Sequence, residues 1–399
     1  MSRLAPTALA ALAALGALAV AGAQPVLSAA AAANEALLAD WDPIEVIDSR
    51  FEALVGDGDR RLKQVAYLDG ARTEGVSWVW ALGALTFTSG NCPTPGDWDA
   101  TFLVGTGGPK RPRGATPLLA PSNHSNGQVV DGTGSAWVTC ETTGRQLARV
   151  QVDELGHFVS KTKLVGEYQG QPLNSPNDAV FHSDGSIWFT DPQYGCIQYP
   201  QRKCSLPAHV YRFNPATRAL TVVYTGLDKP NGLAFSLDEK RMYVVDSGAM
   251  HATFDPSRPH AVFEFDIDGE GDGARLVRMR MFADISPGIP DGVRLDNEGN
   301  VYVAAGDGVQ VFAADGSLLG KIHTPPYAGG ADGARYGQCS NLEFAGDLGR
   351  PPTPHYLRHV LYLAAGPAVY SITLAASHGD GPRPKPPPAR RADGGAAAQ

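Results

Sequence analysis

The chain has 399 residues, a formal charge of −8, 43% hydrophobic residues and 8% aromatics. That length and composition build a globular protein with a large core and exclude a disordered chain. The negative balance gives no basic patch for a nucleic acid and favours attraction for cations. With 46 glycines and 31 prolines scattered between short apolar runs, the pattern is that of an all-β protein rich in turns.

In chain order, Met1 to Arg3 carries one positive charge, Leu4 to Ala23 carries none, and Ala21-Gly22-Ala23 precedes Gln24. This is the form of a secretory signal peptide over 1–23. A transmembrane anchor is the weaker reading, because the stretch is mostly alanine, which is only weakly apolar. Removal of the signal leaves no stable membrane insertion, and the expected location is periplasmic or secreted. Residues 24–44 read as a linker, 45–376 as the folded domain, and 377–399, rich in proline and arginine, as a disordered tail. The five cysteines suit an exported chain. Cys196 and Cys204 bracket one loop and are the expected disulfide, while an odd count leaves at least one thiol free.

One strand pattern recurs through the domain. Gly185-Ser-Ile-Trp188-Phe-Thr-Asp191 resembles the stretches around Trp137, Tyr243 and Tyr302, with weaker copies around Thr86 and Tyr362. The intervals between these anchors are 51, 51, 55, 59 and 60 residues. A period of that size, each unit holding several short strands, is the signature of propeller blades, and six units predict a six-bladed β-propeller. The run from Leu62 to Leu68 is expected to pair with Val369 to Leu374 and close the ring.

A second feature keeps the same phase. Ahead of the anchors, by eleven or twelve residues in five units, stand Glu74, Asn126, Asn177, Asn231 and Asp291. The sixth unit offers Asn341, farther ahead of Tyr362. A lone Asn-Gly is an ordinary turn former. Six oxygen-bearing residues in register on the channel-lining strands form a converging ring with only two carboxylates. Hard oxygen donors of carboxylate and amide type suit Ca²⁺, or another divalent cation, better than Zn²⁺ or copper.

At these motifs the sequence resembles the senescence-marker-protein/gluconolactonase family, with a lean toward its larger exported lactonohydrolases. The resemblance rests on Thr73-Glu-Gly-Val-Ser-Trp78, His124-Ser-Asn-Gly127, Asn174-Ser-Pro-Asn-Asp178, Trp188-Phe-Thr-Asp-Pro-Gln-Tyr-Gly195, Pro230-Asn-Gly232 and Ile289-Pro-Asp-Gly292. It implies a six-bladed propeller with one divalent metal, usually Ca²⁺, and hydrolysis of a sugar-type lactone. Its ligand motifs fall on Glu74, Asn177, Asn231 and Asp291, which leaves Asn126 and Asn341 as substrate-binding candidates. Lactone hydrolysis needs a base, for which Asp291 is the first candidate and His124 the second. Asp178 and Asp246 are expected to orient Asn177 and Asn231 from behind. Alternatives are a promiscuous esterase or phosphotriesterase on the same site, or an exported binding propeller without catalysis. Insertions at 89–97, 194–207 and 323–337, with Tyr194, Tyr199, Tyr327 and Tyr336, are the expected lid over the site.

Overall fold

The computed structural model describes residues 28–89, 99–105, 115–250, 253–327, 335–348 and 358–378. The expected signal peptide, almost all of the tail and parts of two lid insertions lie outside the described residues. Among those described, the strands form six antiparallel blades in a ring. Blade 1 runs Thr73–Val79, Ala84–Ser89, Ala100–Val104 and Ala115–Leu119 from the hub outward. The innermost strands of blades 2 to 6 are Ser125–Val130, Ala179–Phe181, Pro230–Phe235, Val293–Leu295 and Cys339–Ala345. The outermost strand of blade 6 comes from the other end of the domain. Lys63–Tyr67 pairs antiparallel with the last strand, Lys63 opposite Ser371 and Tyr67 opposite Ala368. The expected closure is thus observed, and it removes the exposed edges of an open sheet.

The anchors of the repeat sit on the second strand of every blade: Thr86, Trp137, Trp188, Tyr243, Tyr302 and Tyr362, each at most 2% exposed. A second strand is covered on both faces by the neighbouring blades, so a large aromatic there fills a seam. Trp137 packs with Val79 and Leu103 of blade 1, and Trp188 with Leu233 and Met242 of blade 4. Tyr243 packs with Val293 and Val303 of blade 5, and Tyr302 with Leu342 and Leu361 of blade 6. The core is therefore a set of seams around the ring, and full burial of each aromatic stabilises its seam by about 2–3 kcal/mol.

The segment expected to be a linker is partly structured, which corrects that boundary. Ala29–Leu38 is a helix, as its run of alanines favours. The Ser28 hydroxyl accepts from the Ala31 N–H at 3.1 Å. The helix docks on the closing strand through Asn34, bonded to Gln64 at 2.6 Å and to the Tyr370 hydroxyl at 2.9 Å. Ile44–Val46 then adds a fifth strand to blade 5, Ile44 opposite Ile322. These segments tie blades 5 and 6 to the ring closure.

Candidate active site in the central channel

The six phased residues lie where the hub strands depart from regular pairing. Register shifts fall between Glu74 and Ser77, Ser125 and Gln128, Pro230 and Leu233, and Cys339 and Asn341. In blades 3 and 5 the ladder begins just after the site residue, at Ala179 and Val293. Asn177 thus precedes its strand instead of opening it. An irregular strand start or a bulge re-aims a side chain, here toward the axis.

Adjacent blades are joined at the hub by a closed circuit of hydrogen bonds. The Thr88 hydroxyl donates to the Asn126 carbonyl at 2.8 Å, and the Gly127 N–H to the Asn177 carbonyl at 2.8 Å. The Thr190 hydroxyl reaches the Asn231 carbonyl at 2.7 Å, and the Gly232 N–H the Asp291 carbonyl at 3.1 Å. Gly292 N–H donates to the Ser340 carbonyl at 2.9 Å, and the Ser340 hydroxyl returns to the Thr73 carbonyl at 2.7 Å. This explains the glycine of the Asn-Gly and Asp-Gly pairs. A Cβ on Gly232 would stand 2.3 Å from the Asp291 carbonyl oxygen, and one on Gly127 2.6 Å from that of Asn177. The glycines are close-approach points between blades and not turn formers.

The side chains meet inside this circuit. Glu74, Asn126, Asn177, Asn231 and Asn341 are each at most 6% exposed. Burial pushes the Asp291 carboxyl well above the usual carboxylate range; the Glu74 charge and, less strongly, Asp178 add to this, while the Asn231 amide beside it opposes. Asn177 Oδ1 is buried and has no hydrogen-bond partner. Such an atom costs stability unless something with positive charge or a proton meets it. Among the described residues, no group of three or more His, Cys, Asp or Glu could hold a metal. The donors here are two carboxylates with amide oxygens, a set that fits a hard cation and not zinc.

The other expected site residues divide. Asn126 sits in the ring, its carbonyl bonded to Thr88. The Asn341 amide oxygen accepts from the Leu342 N–H at 2.8 Å, which commits part of its capacity. His124 stands at the rim of blade 2, its Nδ1 3.2 Å from the Thr143 hydroxyl and 3.5 Å from Asp99, with Tyr199 edge-on to its ring. Asp178 turns to the Ala179 N–H at 2.9 Å and toward Arg294 at 3.6 Å, and Arg294 also pairs with Glu343. These three groups form a partly buried ionic cluster at the hub that the sequence reading missed. Asp246 holds the backbone ahead of Asn231, accepting from the N–H groups of Asp228 and Lys229, both at 2.8 Å. Asp191 does the same ahead of Asn177, accepting from Asn174 at 2.8 Å and Ser175 at 2.7 Å. Burial nonetheless pushes Asp191 up to about 7.

Over this ring lies a cap, residues 192–207, inserted between the second and third strands of blade 3. It begins with the short helix Tyr194–Gln198, and the disulfide Cys196–Cys204 staples it as expected. Arg202 donates to the Thr142 and Thr143 carbonyls of blade 2 at 3.3 and 3.0 Å. The sequence reading placed Tyr194 only in a lid. The structure sets its hydroxyl beside Ser247 and Asn231 and close enough to feel the Asp291 charge. Thr88 and Thr190 were also missed, although the threonine two places after the anchor recurs in blades 1 to 3 and signals them.

A six-bladed propeller with an oxygen-lined hub defines the class. The profile of the SMP-30/gluconolactonase/LRE-like region matches residues 109–331, and the chain belongs to that family. It is 32% identical to a gluconolactonase of Zymomonas mobilis over 53% of this chain and 62% of that protein. It is 33% identical to a lactonohydrolase of Aspergillus oryzae over 43% of this chain and 42% of that protein. The matches thus span less than two thirds of either relative. A gluconolactonase structure from Xanthomonas campestris, described as important in glucose secondary metabolic pathways, superposes with a TM-score of 0.64 at 29% identity. That superposition covers 84% of this chain and 96% of the other.

Proposed function

We propose that the protein is a lactonase dependent on a divalent cation, Ca²⁺ by the donor set, which opens a sugar-type lactone to its hydroxy acid. The observation that carries this reading is the unpartnered, buried Asn177 Oδ1 in a ring with Asn231 and the mutually repelling Glu74 and Asp291. Glu74, Asn177, Asn231 and Asp291 would hold the ion, each supplied by a different blade. When bound, the ion supplies a Lewis acid for the ester carbonyl. Asp291 has its backbone fixed by Gly232 and by its own N–H bond to Ala304 at 2.9 Å, and its carboxylate would orient the attacking water and take its proton. His124 is less well placed for that task, because Thr143 and Asp99 hold it at the rim. Asn126 and Asn341 would position the sugar. The family membership and the gluconolactonase and lactonohydrolase relatives support the same chemistry. The Cys196–Cys204 disulfide supports export to an oxidising compartment.

The test is acid release from a panel of aldonolactones, aryl esters and organophosphates, with and without chelator. Cation-dependent release from aldonolactones above all others is expected. Preference for aryl esters or organophosphates would replace the lactone reading, and turnover indifferent to chelation would remove the ion from it.

A further inference from the structure

The cap places one donor in the site that none of the preceding roles uses. The Tyr194 hydroxyl oxygen is buried and has no partner at full hydrogen-bond geometry, although Ser247 and Asn231 stand near enough for a weak contact. Ser247 has already committed its proton, and Asn231 one of its two amide protons. Asn231 Nδ2 donates to the Ser247 hydroxyl at 3.1 Å, and that hydroxyl donates to the Pro290 carbonyl at 2.6 Å. A buried phenol without a partner is a standing cost unless a ligand oxygen completes it.

The position of this hydroxyl is fixed and not incidental. Tyr194 is the first residue of the cap helix, and the next N–H, that of Gly195, donates to the Ser175 hydroxyl at 2.9 Å. A Cβ on Gly195 would come within 2.9 Å of Ser175, so the helix start is seated directly on the strand entry of blade 3. The Gln193 side chain bonds the Leu206 carbonyl at 3.0 Å and joins the two ends of the cap. With the disulfide and Arg202, these contacts prepare the donor before a ligand arrives, which lowers the ordering cost of binding.

We propose that Tyr194 is a specificity-determining residue whose phenol O–H donates to a hydroxyl oxygen of a polyhydroxylated lactone, and to the same hydroxyl of the open-chain polyhydroxy acid formed from it. The contact rests on the lactonase reading for its place in catalysis but not for its existence, since the acid alone should report it. A lactone with no ring hydroxyls lacks the acceptor assigned to this donor and should not sense its loss.

The experiment compares the full chain with Tyr194→Phe, which keeps the ring and removes only the hydroxyl. Hydrolysis of glucono-δ-lactone and of unsubstituted δ-valerolactone is measured, and calorimetry measures gluconate binding. The variant is expected to lose about tenfold in kcat/KM for glucono-δ-lactone and about tenfold in gluconate affinity, with δ-valerolactone unchanged. Equal losses on both lactones would assign Tyr194 a merely structural role and overturn the proposal, as would unchanged gluconate binding. A wild type that turns over neither lactone, yet binds gluconate through Tyr194, would defeat the lactonase reading and leave the contact standing. A wild type that hydrolyses both lactones with no effect of Tyr194→Phe would do the reverse. Absence of both turnover and gluconate binding would defeat both.

Discussion

The hub and the cap meet at the same site but are built in different ways. The hub is made six times over from one unit, and each copy is locked to the next by a backbone or hydroxyl hydrogen bond at a glycine, threonine or serine. The cap occurs once, is anchored by one disulfide and a few side-chain bonds, and leans on blades 2 and 3. The difference separates two tasks. A redundant, rigid hub can hold like charges together, as it does with Glu74 and Asp291. A singular cap can change its side chains without disturbing the ring, which suits recognition.

The largest effect expected is at the hub. Asp291→Asn and Glu74→Gln should each lower lactone hydrolysis by at least about a hundredfold and abolish its dependence on added cation. Tm shifts with Ca²⁺ titration would check the second effect, and a wild-type response in either variant would break the assignment of chemistry to the hub. Next, Gly232→Ala should destabilise the fold by about 1–3 kcal/mol, read as a lower denaturation midpoint, because its Cβ must displace the Asp291 carbonyl. A neutral result would mean that the hub is not a close-packed circuit.

Replacing Cys196 and Cys204 together with serine should cost at most about 2–3 kcal/mol, and the loss should be local. Hydrogen exchange would rise in residues 192–207 while the hub stays protected, and KM would rise more than the global midpoint falls. If the whole ring loosened, the separation of cap from hub would not hold. Thr190→Val, which removes one bond of the hub circuit, should cost about 1 kcal/mol by the same denaturation assay.

A last test concerns pH. Burial pushes the Asp191 carboxyl from its ordinary 3.8 up to about 7, so the folded state binds its proton more tightly than the unfolded chain. The stability it contributes is fully present below about pH 4 and is lost as pH rises toward 7. The Tm difference between Asp191→Asn and wild type should therefore move in favour of the variant across that window and level off above it. Movement in the opposite direction would show that the two N–H bonds to Asp191 outweigh its burial.

Much of the hub was legible because a repeat is visible in one dimension. The anchors at Trp137, Trp188, Tyr243 and Tyr302 fixed the blade count, and the phase of Asn177, Asn231 and Asp291 against them marked the channel. Pairing of 62–68 with the last strand followed from the need to close a ring. The linker boundary failed because alanine-rich sequence reads equally well as loose chain or as helix until a docking surface, here Gln64 and Tyr370, is present. The roles of Asp178 and Asp246 differ in a similar way. Their positions were legible, but which groups they bond depends on Arg294 and the entry loop, which lie elsewhere in the chain.

By itself, then, the sequence determined the architecture and the register of the oxygen ring, because strand period and blade period are local patterns repeated along the chain. Only the tertiary structure decided that the glycines after Asn126, Asn231 and Asp291 are contacts and not turns. It alone brought Tyr194 from an insertion to the side of Asn231. Both are consequences of which blade lies next to which. Distances between neighbouring blades, and the reach of a cap that belongs to no repeat, are set by the closed ring and not by any one stretch of residues.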